Sequence, residues 1–259
     1  MASSHVAVIP SSESKELIDC IRNAKAYAFE SNILETPKFF PQILTRESEE
    51  ISYSDLSLTT REKIKPALRE LQYTEANIDY ILQLHPVGIY RALTHAKKLE
   101  PEVQLVPNLD IALAQSVIAK KVKYIELEGI TELSKSERRI SLNQLNELIT
   151  IMCDLVLDAA KFAAYKIEIN KYAQSLNTLP DIESGWNLQF YFNTKMLGLP
   201  AYSVTHEVDN RNALIGANML KAIKENGSVM MFVGAAHVGG PASVLKVLEQ
   251  AGIRVKRVQ

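Results

Sequence analysis

Three glycines, Gly234, Gly239 and Gly240, fall within seven positions around His237, in a chain that has only 10 glycines among 259 residues. A glycine-poor sequence that gathers them in one loop needs backbone freedom or close approach there. The loop follows the apolar run Val229 to Val233 and precedes a helix pattern opened by Pro241 and Ser243, closed by Gly252 and followed by the strand-like IRVKRV. Strand, loop, helix and strand in about thirty residues predict a βαβ unit with His237 at the carboxyl end of its first strand. Ligand sites of parallel sheets lie at that end. The plainer alternative is a tight turn that happens to contain a histidine.

A second histidine has a similar setting. Ser3-Ser4-His5-Val6, then Pro10, Ser11 and a helix-then-strand pattern, echo Ala235-Ala236-His237-Val238, then Pro241, Ser243 and the same pattern. Two such units at opposite ends of the chain can share one sheet and bring both imidazoles to one edge, where converging histidines and carboxylates hold a divalent metal or work as an acid and base. Coincidence and an artificial MASSH leader are the competing readings of the echo.

The carboxylates and the cation that could join them sit at element ends. Glu30 closes the strand-like AKAYAFE, where burial of an acid requires a partner. Glu128 follows the strand candidate VKYIEL just before Gly129, and is otherwise an exposed loop acid. Arg211 opens an amphipathic helix from about Asp209 to Lys224. Its planar fork suits an oxyanion or a substrate carboxylate, and its structural alternative is a salt bridge to Asp209 or Glu207. Asp110 reads as a helix cap, Asp154 and Asp158 as acids facing Lys161 and solvent, His206 as a loop residue, and His85 and His95 as capping or surface residues.

The elements that must position these groups follow from periodicity. His5 to Ile9, a helix with Leu17, Cys20, Ile21 and Ala24 on one stripe, and AKAYAFE spell strand, helix, strand. From about residue 33 to 121 the pattern is helical: Thr59 with Glu62 predicts a capping box before IKPALREL, Thr74 caps EANIDYILQL, Pro86 stops it, and two further helices follow. Residues 142 to about 175 are helical again, Trp186 to Phe192 form an apolar-aromatic stretch, and Asn226-Gly227 ends the Arg211 helix. The expected fold is α/β: a central mixed sheet built from two βαβ-like repeats at the chain ends, with a large helical insert, in one domain over 1–259.

Composition excludes several classes. With 29 Lys and Arg against 30 Asp and Glu, the chain lacks the cationic excess of a nucleic-acid binder. Cys20 and Cys153 form neither a disulfide framework nor a CxxC pair, and read as core residues in a reducing compartment. No apolar run approaches the ~18 residues of a membrane span, and MASSHVAVIP lacks a signal peptide's basic and apolar regions. The expected location is cytoplasmic, or exported if residues before Met1 have been removed. GxGxxG, P-loop, HExxH and GxSxG motifs are all absent.

The arrangement resembles the TraB/PrgY/GumN/TIKI family, whose pattern is a GxxH motif near each end and an Arg-Asn helix start before the second. Gly234-Ala235-Ala236-His237 matches the second motif, and Glu30, Asn108-Leu109-Asp110, Leu127-Glu128, Gln144 and Arg211-Asn212 match the family's other marks in order. The first motif reads Ala2-Ser3-Ser4-His5, with Ala2 in place of glycine. The resemblance implies a metal-dependent hydrolase, with a peptidase branch, acting on a peptide or small molecule. In that reading His5, His237 and Glu30 hold a manganese, cobalt or zinc ion, while Glu30, Glu128, Arg211 and His237 carry the catalytic roles. Two other readings remain: an inactive relative that binds a peptide or a partner protein, and a metal-free esterase-like hydrolase with histidine as general base.

Overall fold

A computed structural model of the chain describes residues 24–30, 50–100, 114–115, 117–119, 121–176 and 182–254. His5, Cys20, Asp110 and residues 255–259 of the expected last strand lie outside them. Three short strands, β1 (Ala26–Phe29), β2 (Lys123–Glu126) and β3 (Val229–Phe232), form a parallel sheet in the order β2-β1-β3. Among the described strands, the one nearest the start of the chain is thus flanked on both sides. Its register pairs Phe29 with Glu126 on one side and with Phe232 on the other. All three strands therefore end at the same level.

Strand β1, AYAF, is apolar because both faces are covered, as expected for a parallel sheet. Ala28 faces one layer, where Leu127, Ile215, Met219, Val244 and Leu248 complete a buried cluster. Phe29 faces the other, with Ala114 and Val117. Its ring stacks on Tyr124 and Phe232, with centroids 5.1 and 4.9 Å away, so aromatic contacts run across all three strands.

Helices fill the connections. Between β1 and β2 come α1 (Leu58–Glu70), α2 (Glu75–Ile81) and α3 (Pro86–Thr94). Between β2 and β3 come α4 (Ile130–Glu137), α5 (Leu142–Leu157), α6 (Ala159–Leu176), α7 (Ile182–Tyr191) and α8 (Asn210–Asn226). After β3 a single helical turn, α9 (Ala235–Val238), precedes α10 (Val244–Gln250). The helices after β1 pack into the rest of the chain: Ile64, Leu68, Ile89 and Leu93 share one buried core with Leu145, Leu148, Ile149 and Met152 of α5. The result is an α/β fold with a small parallel sheet and a large helical component.

Several helix ends follow the local signals of the sequence. Thr74 accepts a hydrogen bond from Asn77 N at the start of α2, and Gly227 and Gly252 take positive φ just past their helices. Others shift. The cap of α1 is Ser57, whose Oγ accepts from Thr60 N, so the helix begins ahead of the expected Thr59–Glu62 box. Pro86 opens α3 rather than merely stopping α2, with His85 Nδ1 accepting from Val87 N as the cap. Trp186 to Phe192 is helical, running through α7 into a π-helical turn over Phe192–Met196. Asp154 pairs with Lys63 across the helix interface, and Asp158 caps α6 through Ala160 N and Lys161 N.

Candidate active site at the carboxyl edge of the sheet

Each strand delivers one element of the site one or two residues past its last pairing. Glu30 follows β1, Glu128 follows β2, and the Gly234 to His237 turn follows β3. Backbone bonds hold these ends together: Glu30 N donates to Phe232 O, and Glu128 N donates to Glu30 O at 2.7 Å. Asn218 on α8 donates to Leu127 O at 2.8 Å, which ties the helix that carries Arg211 to the end of β2. Groups 181 and 83 residues from Arg211 in sequence become its neighbours.

Arg211 lies between the two acids. Nη2 donates to Glu30 Oε1 at 2.7 Å, Nε donates to Glu128 Oε2 at 2.8 Å, and Nη2 also reaches Glu128 Oε2. The residues are 5%, 7% and 1% exposed for Arg211, Glu30 and Glu128, so these are buried ion pairs. Burial works against the guanidinium charge, but Glu30 and Glu128, with Glu137 farther out, raise its pKa above the ordinary arginine value. Glu137 itself forms a second buried pair with Arg91, whose Nε donates to Glu137 Oε2 at 2.8 Å. The Arg211 partners Glu30 and Glu128 are both distant in sequence, unlike Asp209, and the Glu207 side chain lies outside the described residues. The Asp209 carboxylate accepts instead from the Trp186 indole N–H at 3.2 Å.

His237 meets the cluster from the glycine turn. Its Nε2 lies 3.3 Å from Glu30 Oε1, and its Nδ1 lies 2.5 Å from Asn212 Oδ1. Glu30 Oε2 accepts from Gly234 N at 2.9 Å, so one carboxylate is held by the backbone of the loop and by Arg211 together. Trp186 covers this loop. A Cβ at Gly240 would sit 2.5 Å from its ring, and the backbone there has φ +83°, so both the close approach and the left-handed conformation require glycine.

Glu30, Glu128, Arg211 and His237, the four residues expected to act chemically, thus meet in one buried cluster. His5 lies outside the described residues, as does the side chain of His206. Gln144 is committed elsewhere: its Oε1 accepts from Ser141 N in the capping box of α5. Two contributors went unassigned from sequence. Asn212 appeared only within the Arg211-Asn212 mark, without a role of its own, and Trp186 only as the start of an apolar-aromatic stretch. Two buried polar atoms of the site, Glu128 Oε1 and Asn212 Nδ2, have no hydrogen-bond partner among the described residues.

As for a metal, two of the three expected ligands, His237 and Glu30, converge. Among the described residues no group of three or more His, Cys, Asp and Glu side chains is disposed to hold an ion. The donor chemistry of the converging pair nonetheless suits a cation. When Nδ1 donates to the Asn212 Oδ1 that faces it, Nε2 and Glu30 Oε1 oppose each other with lone pairs unless a proton or a cation lies between them. A ring N–H held by a fixed acceptor is also the usual support of a ligating histidine.

Fold and site together define a class: an α/β protein with a polar, charge-paired centre at the carboxyl ends of parallel strands. The TraB/PrgY/gumN family pattern matches residues 10–257, and the chain belongs to that family. No curated protein and no solved structure matches it. No helix among the described residues is long and apolar enough to cross a membrane.

Proposed function

We propose that the protein is a hydrolase of peptide or small-molecule substrates, with water activated at the carboxyl edge by His237 and Glu30 and assisted by a divalent ion. The observation that carries this reading is the placement of His237 Nε2 3.3 Å from Glu30 Oε1 while Nδ1 is occupied by Asn212. Nε2 is then the one open ring nitrogen: with an ion bound it would be the ligand, and without one it takes a proton from water and passes it to the leaving group. Glu30, held as an acceptor by Gly234 N and Arg211, stabilises the ring while it carries that proton. Arg211 keeps both acids in place and compensates their charge, and Glu128 sets the position of Arg211. A manganese, cobalt or zinc ion held by His237, Glu30 and His5 would make water acidic enough to deprotonate near neutral pH, from pKa 15.7 towards roughly 7.

A metal-free reading, with His237 as general base, is favoured by one observation. Arg211 already supplies a positive charge to Glu30 Oε1, the atom that faces Nε2. Metal analysis of protein purified without nickel, with cleavage assays on a peptide and ester library in the presence of manganese, cobalt or chelator, separates the readings. Stoichiometric metal, chelator-sensitive turnover and its loss in His237→Ala support the metal-assisted hydrolase. Turnover unaffected by chelator but lost in His237→Ala supports the metal-free one. Absence of turnover on every substrate overturns both and leaves a protein that binds a peptide or partner.

A further inference from the structure

We infer that Asn212 is a positioning residue whose side-chain oxygen selects the Nδ1–H form of His237 and so directs the free ring nitrogen at Glu30. The inference rests on the hydrolase reading for its consequence in catalysis, and on geometry alone for the ring itself. Asn212 is 0% exposed and His237 4% exposed, so no solvent competes for their 2.5 Å contact. An oxygen is an acceptor only, and Nδ1 must therefore donate.

The other end of the amide shows that this contact is the purpose of the residue. Asn212 Nδ2 makes no hydrogen bond among the described residues, although it is buried. A position occupied for packing alone is more stable with an apolar side chain, because a buried unpaired amide N–H lowers stability. Among the described residues, the side-chain atom of Asn212 that has a partner is the one that touches His237. Its backbone site adds rigidity: Asn212 lies in the first turn of α8, adjacent to Arg211, and α8 is fastened to the end of β2 by Asn218. Ring, acid and acceptor are thereby referred to the same helix and the same sheet edge.

Removing the acceptor has a directional consequence. With no oxygen opposite Nδ1, Glu30 Oε1 at 3.3 Å is, among the described residues, the acceptor left within reach of a ring N–H, so the proton moves to Nε2. The nitrogen that should accept a proton from water is then the one already protonated.

The test is long-range proton–nitrogen NMR of the histidine rings at about pH 8, above the ordinary histidine range, without added metal. His237→Gln assigns the signal. In the wild type the His237 ring is expected to show a protonated Nδ1 and an unprotonated Nε2. Asn212→Leu should reverse this, and Asn212→Asp, which retains an acceptor, should preserve the wild-type pattern. Where turnover is measurable, Asn212→Leu should lower it about 10- to 100-fold, chiefly in kcat, with Asn212→Asp recovering most of it. A wild-type ring protonated at Nε2 overturns the inference without any variant having to fold. An unchanged pattern in a folded Asn212→Leu protein overturns it as well. If no substrate is ever cleaved, the hydrolase reading falls while the NMR result still decides the role of Asn212.

Discussion

Arg211→Met is the perturbation that tests the charge pairing of the site most directly. Methionine keeps an unbranched apolar stem of similar reach but removes the guanidinium between Glu30 and Glu128. The three groups are at most 7% exposed, so water does not replace the lost cation, and both acids are left buried without their counter-charge. Breaking a buried pair from one side costs about 3–5 kcal/mol. Against a total stability of about 5–15 kcal/mol for a domain, that is a large share. Urea unfolding followed by circular dichroism, extrapolated linearly to water, reads it. The second step is Glu128→Gln in both backgrounds. In the wild type it removes a charged acceptor of Arg211 Nε and should cost about 1.5–3 kcal/mol. In the Arg211→Met background it removes an uncompensated charge and should be neutral or stabilising. A loss below about 1 kcal/mol for Arg211→Met, the range of exposed pairs, would refute the reasoning. So would an equal effect of Glu128→Gln in both backgrounds.

Other expectations follow from single residues. Gly240→Ala places a Cβ against the Trp186 ring at φ +83°, so it should cost more than the ~1–2 kcal/mol of left-handed backbone alone and shift the emission of the only tryptophan; unchanged Tm and emission would show that the contact is absent. Burial, aided by the Asp154 charge, pushes the Cys153 thiol up to about 12, so it should resist alkylation at pH ~8 in the folded protein and react after unfolding, as read by peptide mass mapping. Burial raises the Asp209 carboxyl above its ordinary 3.8, with the Trp186 N–H and His237 pulling it partly back. A value raised by folding contributes stability that is complete below the unfolded value and lost as pH rises through the folded one. Asp209→Asn should therefore gain on the wild type as pH rises past the ordinary aspartate range; a urea-midpoint difference that is flat with pH, or of opposite slope, would count against it.

The partial reading of this site from sequence has a physical basis. His237 stood out because its glycines are a local requirement: turn geometry and close approach are dictated by residues within a few positions. Glu30 stood out because an acid ending an apolar strand needs a partner wherever the strand lies. Neither argument could name the partner. The choice of Glu30 and Glu128 over Asp209 for Arg211 depends on three strands ending level, which is a matter of register between segments about a hundred or two hundred residues apart. Trp186 was obscure for the same reason, since its role is set by the loop it covers.

By itself the amino-acid sequence determined the local units: the helix caps at Thr74 and Gly227, the glycine turn that displays His237, the apolar runs that become strands and the α/β class they imply. These follow from backbone sterics and from the side-chain period, which act over a few residues. Only the tertiary structure decided that β1 lies between β2 and β3, that Arg211 is shared by two acids and that Asn212 holds the histidine ring. Those outcomes depend on which distant segments pair, and pairing is settled by burial and packing of the whole chain rather than by any short stretch of it.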